Sequence, residues 1–351
     1  MRITRPFAVA LLLLAGACTE TPAGPDARAS RHADLQGRTL GILSRNLYVG
    51  ADLDATIGAL ASPDPSDDLP ALQTAIGTLL ATDYTARAGA IADEIALTRP
   101  HVIGLQEVWQ IAVNLTPLGM PVAIDLDFLA ILQQAMAERG LRYDVAGKVR
   151  NTDAAPFPGI ALTDWDVMLV DRSRVSVENV YAQQFQLNVG AVAPGVDVRR
   201  GFVIIQAKIQ GRVFTIGNTH LESGANPQLA QLRAAQAMEL AAAMGDSAQA
   251  VLMGDLNDTP GSLMYQVLAG SGWSDLWLAF GSGPGLTCCH SPNLANPFAA
   301  FDQRIDYVLQ RGFTEAGRIT LLGIEPEDRI SGAAGPIWPS DHAGVFAQLR
   351  Y

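Results

Sequence analysis

Six short polar clusters punctuate the apolar runs of this chain. Ser44-Arg45-Asn46 follows Thr39–Leu43, and Gln106-Glu107 follows His101–Leu105. Asn218-Thr219-His220 follows Val213–Gly217, and Gly254-Asp255-Leu256-Asn257 follows Val251-Leu252-Met253. Arg304-Ile305-Asp306-Tyr307 opens an apolar run, and Ser340-Asp341-His342 precedes another. Glu107, Asp255 and Asp341 are hard oxygen donors, and Asn46 and Asn257 add amide oxygens. Such a set suits Mg2+, with Mn2+ or Ca2+ as alternatives, and suits zinc poorly. His220 and His342 are two of only five histidines. An imidazole beside a metal-bound phosphate donates hydrogen bonds or carries protons. Asp306, inside an apolar strand, needs a partner, and orienting a histidine is a natural role. Together these residues are equipment for metal-assisted hydrolysis of a phosphoester. There is no Gly-x-Ser-x-Gly elbow, and no glycine-rich phosphate loop precedes a helix, so serine-hydrolase, NTPase and dinucleotide chemistries fall.

The elements that must position these clusters follow from periodicity. Arg87–Thr98, Asp127–Arg139, Gln228–Met244 and Ser262–Ala269 are expected helices, and shorter helical patches lie at Leu53–Leu60 and Ala71–Leu80. Besides the runs above, strands are expected at Tyr143–Lys148, Asp166–Val170, Phe202–Ile209, Arg304–Leu309 and Ala343–Leu349. Helices alternating with apolar strands give α/β or α+β, a sheet covered by helices. At an extended strand end the i, i+2 spacing of Asn218 and His220, and of Asp255 and Asn257, puts each pair on one face. The clusters should therefore share one rim.

These motifs, in this order, resemble the endonuclease/exonuclease/phosphatase superfamily, the deoxyribonuclease I-like fold, over about Thr39 to Tyr351. The resemblance implies a single-domain, four-layer sandwich of two packed mixed β-sheets flanked by helices, and Mg2+-dependent hydrolysis of phosphodiesters or phosphomonoesters. It makes Glu107 the main metal ligand, with Asn46 and Asp341 at or near the metal. Asp255 would orient or deprotonate the attacking water, Asn257 would bind a phosphate oxygen, and His220 would contact the phosphate. His342, held by Asp306, would stabilise the transition state or pass a proton. Asp166, in Asp164-Trp165-Asp166-Val167, lies where members vary between acidic and Tyr residues and would be a substrate-side residue of the site. Arg199 and Arg200 either reach phosphate or form a solvated pair. Members act on nucleic acids, phospholipids such as sphingomyelin, inositol phosphates and other phosphate esters, and the choice lies in loops. A non-catalytic binding protein or a structural envelope lipoprotein would not need every such position filled.

The chain has 351 residues, 49% hydrophobic and 17% charged, with 24 basic and 35 acidic residues and a net charge of -11. That balance excludes disorder and a protein whose main work is coating nucleic acid; an enzyme touching a few phosphates remains open. Arg2 and Arg5, the apolar run Phe7–Ala15 and the small residues Ala15-Gly16-Ala17 make residues 1–17 an expected signal peptide. Cys18 after Ala17 resembles a lipobox, and residues 18–38, rich in Thr, Pro, Ala, Asp and Arg, read as a flexible tether to a catalytic domain at 39–351. The expected location is export, with membrane anchoring as a bacterial lipoprotein or, alternatively, ordinary secretion. No protein partner is implied, and a monomer is expected. Beyond Cys18 only Cys288 and Cys289 remain. They form a vicinal disulfide or buried thiols and match neither a metal nor a nucleophile role. The long stretch Tyr48–Thr85 and the Gly285–Leu294 segment are the loops expected around a substrate.

If Cys18 is acylated, a fatty-acid analogue should label the full-length protein and Cys18→Ser should abolish the label. Several acyl chains anchor stably where one binds only marginally. An unlabelled protein with a free Cys18 at its N-terminus would favour ordinary secretion.

Overall fold

Val102–Gln106 and Ala250–Asp255 are buried at every position, as strands covered on both faces must be. The computed structural model describes residues 39–313 and 315–351. The expected signal peptide, Cys18 and the tether lie outside the described residues. From the N-terminal side the order is β1 (Thr39–Asn46), α1 (Leu53–Leu60), α2 (Asp68–Ala81), α3 (Tyr84–Thr98), β2 (Val102–Gln106), β3 (Gln110–Asn114), β4 (Ala123–Asp127), α4 (Phe128–Glu138), β5 (Tyr143–Ala154), β6 (Ile160–Asp171), β7 (Ser176–Gln184), β8 (Gly190–Ala193) and β9 (Val196–Val198). There follow β10 (Gly201–Ile209), β11 (Arg212–His220), α5 (Pro227–Ala243), β12 (Ala250–Asp255), α6 (Leu263–Gly270), β13 (Ser274–Asp275), α7 (Leu276–Phe280), β14 (Asp306–Arg311), β15 (Glu315–Leu322), β16 (Ile330–Gly332), β17 (Gly335–Ile337) and β18 (Gly344–Arg350).

Two mixed sheets face one another. The first runs β15-β18-β1-β2-β6-β5-β9-β8, with the β3–β4 hairpin attached through β6; the second runs β13-β14-β12-β11-β10-β7. Leu40, Ile42, Val102 and Met168 of the first sheet pack against Val203, Ile205, Ile216 and Met253 of the second. Outside the first sheet, Ile91 and Ile95 of α3 and Phe128 and Leu132 of α4 close a core over Leu43 and Leu105. Outside the second, Leu240 of α5 and Met264 and Leu268 of α6 cover Leu252. The four-layer sandwich expected from the motifs is the observed fold.

Helix boundaries have local causes. Asp83, Asp127, Asn226 and Ser262 each cap the helix that follows by accepting from a backbone N–H. α3 ends where Arg99 turns left-handed, just before Pro100. α2 begins at Asp68 and not at Ala71 as the sequence suggested, because Pro70 sits in the first turn, where no intrahelical N–H bond is lost. The β3–β4 hairpin, the β7–β9 meander and β15 to β17 were not anticipated.

Register decides where the polar clusters go. β1 and β2 are parallel with Asn46 opposite Gln106, β11 and β12 are parallel with His220 opposite Asp255, and Asp255 pairs antiparallel with Asp306. The exits of four strands and the entries of β14 and β18 therefore lie together. Between the sheets, the Asn218 amide donates to the carbonyls of Leu105 and Val167 and accepts from Gln106 Nε2 at 2.7 Å. Gly104 makes room for it, since a Cβ there would stand 2.5 Å from Asn218 Oδ1 and 2.9 Å from Met253 Cε. Gly104→Ala should cost about 1–3 kcal/mol as overpacking and lower the melting temperature by a few degrees. An unchanged melting curve would show that the sheets can separate freely at this point.

Candidate active site

Glu107 leaves β2 in the left-handed region, at φ 56°; Tyr48 and Asn257 do the same at φ 58° and 52°. Non-glycine residues adopt such angles at a cost, which their surroundings must enforce. The enforcement at Glu107 comes from hydrogen bonds. Its Oε1 accepts from Asn46 Nδ2 at 3.1 Å, and its Oε2 accepts from Val49 N at 2.9 Å and Trp109 Nε1 at 3.5 Å. The loop carrying Tyr48 and Val49 is itself pinned: the buried Arg87 guanidinium donates to the carbonyls of Leu47, Tyr48, Thr82 and Pro339.

Asn46 behaves differently from the expected amide-oxygen donor. Its Oδ1 accepts from Tyr48 N at 2.9 Å, so its Nδ2 must face the carboxylates and donates to both Glu107 and Asp255. Asn46 positions these two acids and offers no oxygen to a cation here.

Asp255 Oδ1 accepts from Asn257 N at 2.9 Å, and its Oδ2 lies 3.7 Å from His342 Nδ1. Burial and the neighbouring Asp306 push the Asp255 carboxyl up, against the pull of His342, to about 7. His342 Nδ1 is 2.9 Å from Asp306 Oδ2, and its Nε2 is 3.9 Å from Asp341 Oδ1. Burial opposes its charge, yet Asp306, Asp341 and Asp255 outweigh burial and hold the imidazolium well above the usual histidine range. Asp341 is raised to about 7 by burial, with His342 opposing and Glu107 reinforcing the shift.

His220 has the opposite state. Burial, then Arg200 and His342, push it well below the usual range, so the ring is neutral. Arg200 Nη1 lies 3.1 Å from His220 Nδ1, and a second donor group faces the ring at Nε2. That atom lies 2.9 Å from Asn257 Nδ2 and 3.6 Å from Asp255 Oδ2. Arg200 also faces Glu222, 3.5 Å away, whereas Arg199 pairs with Asp197 at the surface. Arg200 is thus the member of the basic pair that reaches the site. Asp164 lines the groove, while Asp166 lies fully buried and does not line it.

These groups line one groove of about 620 Å3. It brings together Glu107, Asp341, Asp255, Asn257, His220, His342 and Arg200; Asn46 and Asp306 stand immediately behind. Tyr48, Asp52 and Asp54, from the Tyr48–Thr85 stretch expected around a substrate, also reach it, as do Trp109 and Glu222, which were not anticipated. Glu222 carried a signal, lying two residues beyond His220 on the same strand exit. Cys288 and Cys289 form a vicinal disulfide on the groove wall, with Cys289 Sγ 3.9 Å from His342 Nε2.

The donor set fits a hard divalent cation. Glu107 and Asp341 present carboxylate oxygens to the groove, no thiolate is free beside them, and the burial and then the neighbouring acids that raise Asp255 and Asp341 mark a place where a cation would offset negative charge.

Residues 79–342 match the model of the endonuclease/exonuclease/phosphatase family. No curated protein sequence matches the chain. Among solved structures, an endonuclease/exonuclease/phosphatase from Beutenbergia cavernae is 20% identical with a TM-score of 0.58, covering 89% of this chain and 72% of that one. The mannosyl-6-phosphatase of Bacteroides thetaiotaomicron is 15% identical with a TM-score of 0.57, covering 89% and 100%. TDP2 of D. rerio, complexed with a single-strand DNA product, is 18% identical with a TM-score of 0.53, covering 89% and 99%. Identities this low speak for the fold alone, and the family model covers most of the sequence: the chain belongs to the endonuclease/exonuclease/phosphatase family.

Proposed function

We propose that this protein is an exported, metal-dependent phosphoesterase that hydrolyses a phosphodiester or phosphomonoester by attack of water. The observation that carries the proposal is the convergence, on one rim, of a buried acid poised near neutrality, a neutral histidine and a charged histidine around anchored carboxylates. A Mg2+-like cation held by Glu107 and Asp341 would supply Lewis-acid stabilisation of charge on the phosphoryl oxygens. Asp255, raised to about 7, is matched to taking a proton from water at working pH. Asn257, fixed by its own strained backbone, and the neighbouring His220 would contact the phosphoryl oxygens. Arg200 orients that histidine and adds positive charge. The His342 imidazolium, locked by Asp306, stabilises charge building on the transition state or protonates the leaving oxygen. The expected signal peptide and Cys18 support an enzyme acting outside the cytoplasm, on a lipid anchor.

Glu107→Gln should lower turnover of a chromogenic phosphodiester by ~10²-fold or more while leaving the fold intact, and excess chelator should abolish it. Turnover unaffected by chelator would remove the metal from the mechanism.

Asp306 also sets the pH range. It helps raise His342 above its ordinary value, so activity that needs the imidazolium is present at lower pH and is lost as pH rises through that raised value. Asp306→Asn should therefore move the alkaline fall-off to lower pH. A pH–rate profile with an unmoved upper limb would show that His342 does not act in its charged form.

A further inference from the structure

A second cavity, of about 80 Å3, lies behind Val49 and Trp109. α1 and α2 supply Leu53, Ile57, Leu72 and Ile76 to its wall, and β3 and β6 supply Ile111 and Leu162. Thr56, Thr152 and Trp109 are the lining residues with polar side-chain atoms; Thr56 Oγ1 already donates to the Asp52 carbonyl and Trp109 Nε1 to Glu107 Oε2. One threonine hydroxyl cannot satisfy the hydrogen-bonding edge of a nucleobase or the several hydroxyls of a sugar, and burying such groups unpaired costs several kcal/mol.

The cavity adjoins the catalytic groove. Val49, Ala51, Leu53, Ile57, Trp109 and Thr152 line both, and Val49 and Trp109 are the residues whose N–H groups hold Glu107 Oε2. A phosphate at the Glu107 rim is therefore one side chain from an apolar chamber. The groove itself is poor in positive charge. Asp52, Asp54, Glu107, Asp164, Glu222, Asp255 and Asp341 line it, against the His342 imidazolium and the guanidinium of Arg200, which already faces Glu222. A polynucleotide brings a row of phosphates that need cations, and this groove offers side-chain positive charge only at the catalytic centre.

Resting on the phosphoesterase assignment above, we infer that the substrate is a phosphate ester of an aliphatic alcohol, whose first carbons occupy the α1–α2 cavity. The volume admits roughly three methylene-sized groups, on the ~30 Å3 scale of a liquid water. α1 and α2 belong to the Tyr48–Thr85 stretch between the Asn46 and Glu107 motifs, so the segment that the sequence marks as a substrate loop builds the chamber.

The test is calorimetric titration of the full chain with methyl-, butyl-, hexyl- and decylphosphonate in Mg2+, ligands whose C–P bond is not hydrolysed, alongside turnover of the matching alkyl 4-nitrophenyl phosphates. Affinity should rise ~4-fold per methylene up to about butyl and then level off. Ala75→Phe, on α2 and outside the groove, should flatten the dependence without changing methylphosphonate affinity. Ile76→Ala should carry the rise to longer chains, a gain that a misfolded variant cannot give. Equal affinity for all four ligands, or a rise untouched by both substitutions, overturns the inference even if the diesters turn over. So does displacement of butylphosphonate by single-stranded oligonucleotide. Chain-length-dependent binding without turnover of any ester would support the chamber and refute the catalytic assignment instead.

Discussion

The site depends on one guanidinium buried without a carboxylate. Arg87 is wholly inaccessible, and its donors go to four backbone carbonyls, those of Leu47, Tyr48, Thr82 and Pro339. Burial brings it down to about 10, so it stays charged at neutral pH. Carbonyl dipoles do the work of a counterion, which is tolerable only because every donor direction but one is used and the rings of Tyr84 and Tyr48 lie against it. The carbonyls come from three segments: the exit of β1, the entry of α3 and the approach to Asp341 and His342. Arg45 on β1 is buried too but has a carboxylate partner, donating to the His342 carbonyl and, at 2.9 Å, to Glu94. Two arginines thus fix the loops from which the metal-side acids and the charged histidine project.

Against that scaffold the groove concentrates like charge. Asp255, Asp306 and His342 place ligand atoms within 4.8 Å of one another. The histidine proton holds this group together, and Asn46 holds Asp255 to Glu107. The left-handed backbones at Tyr48, Glu107 and Asn257 show the same economy: side chains are aimed by strain that packing maintains, so little reorganisation remains for a bound phosphate to cause.

The rim was visible in the sequence because strand ends announce themselves twice, through the apolar run and through the polar residues that stop it. Glu107, His220, Asp255 and His342 could be placed on one edge from that pattern alone, and the family resemblance ordered them. What stayed hidden depended on direction. Asn46 was recognisable as a site residue, but only the Tyr48 N–H shows which end of its amide faces the acids. Arg87 sits in a helix whose periodicity marks it merely as inward-facing, and no local signal shows that its partners are carbonyls from three distant segments. Gln110–Asn114 alternates exposed and buried as a strand should, yet Pro117, Gly119 and Pro121 masked the hairpin it makes with β4. Asp166 is on the expected strand and one pleat too deep for the groove.

The pairing of β1 with β18 has a consequence for how the molecule comes into being. Thr39 lies opposite Arg350 and Ser44 opposite Val345, in the interior of the first sheet. β1 therefore waits for a neighbour encoded roughly 300 residues later, a loop closure of the kind that slows folding. Until β18 arrives, β1 has an open, apolar edge, and Asp341 and His342, which immediately precede β18, have no fixed place. A chain emerging from a ribosome or a translocation channel would hold most of its strands before it held a catalytic rim. Activity would then appear as one of the last events of folding, and the nascent protein would rely on chaperones to keep that edge from pairing with another chain.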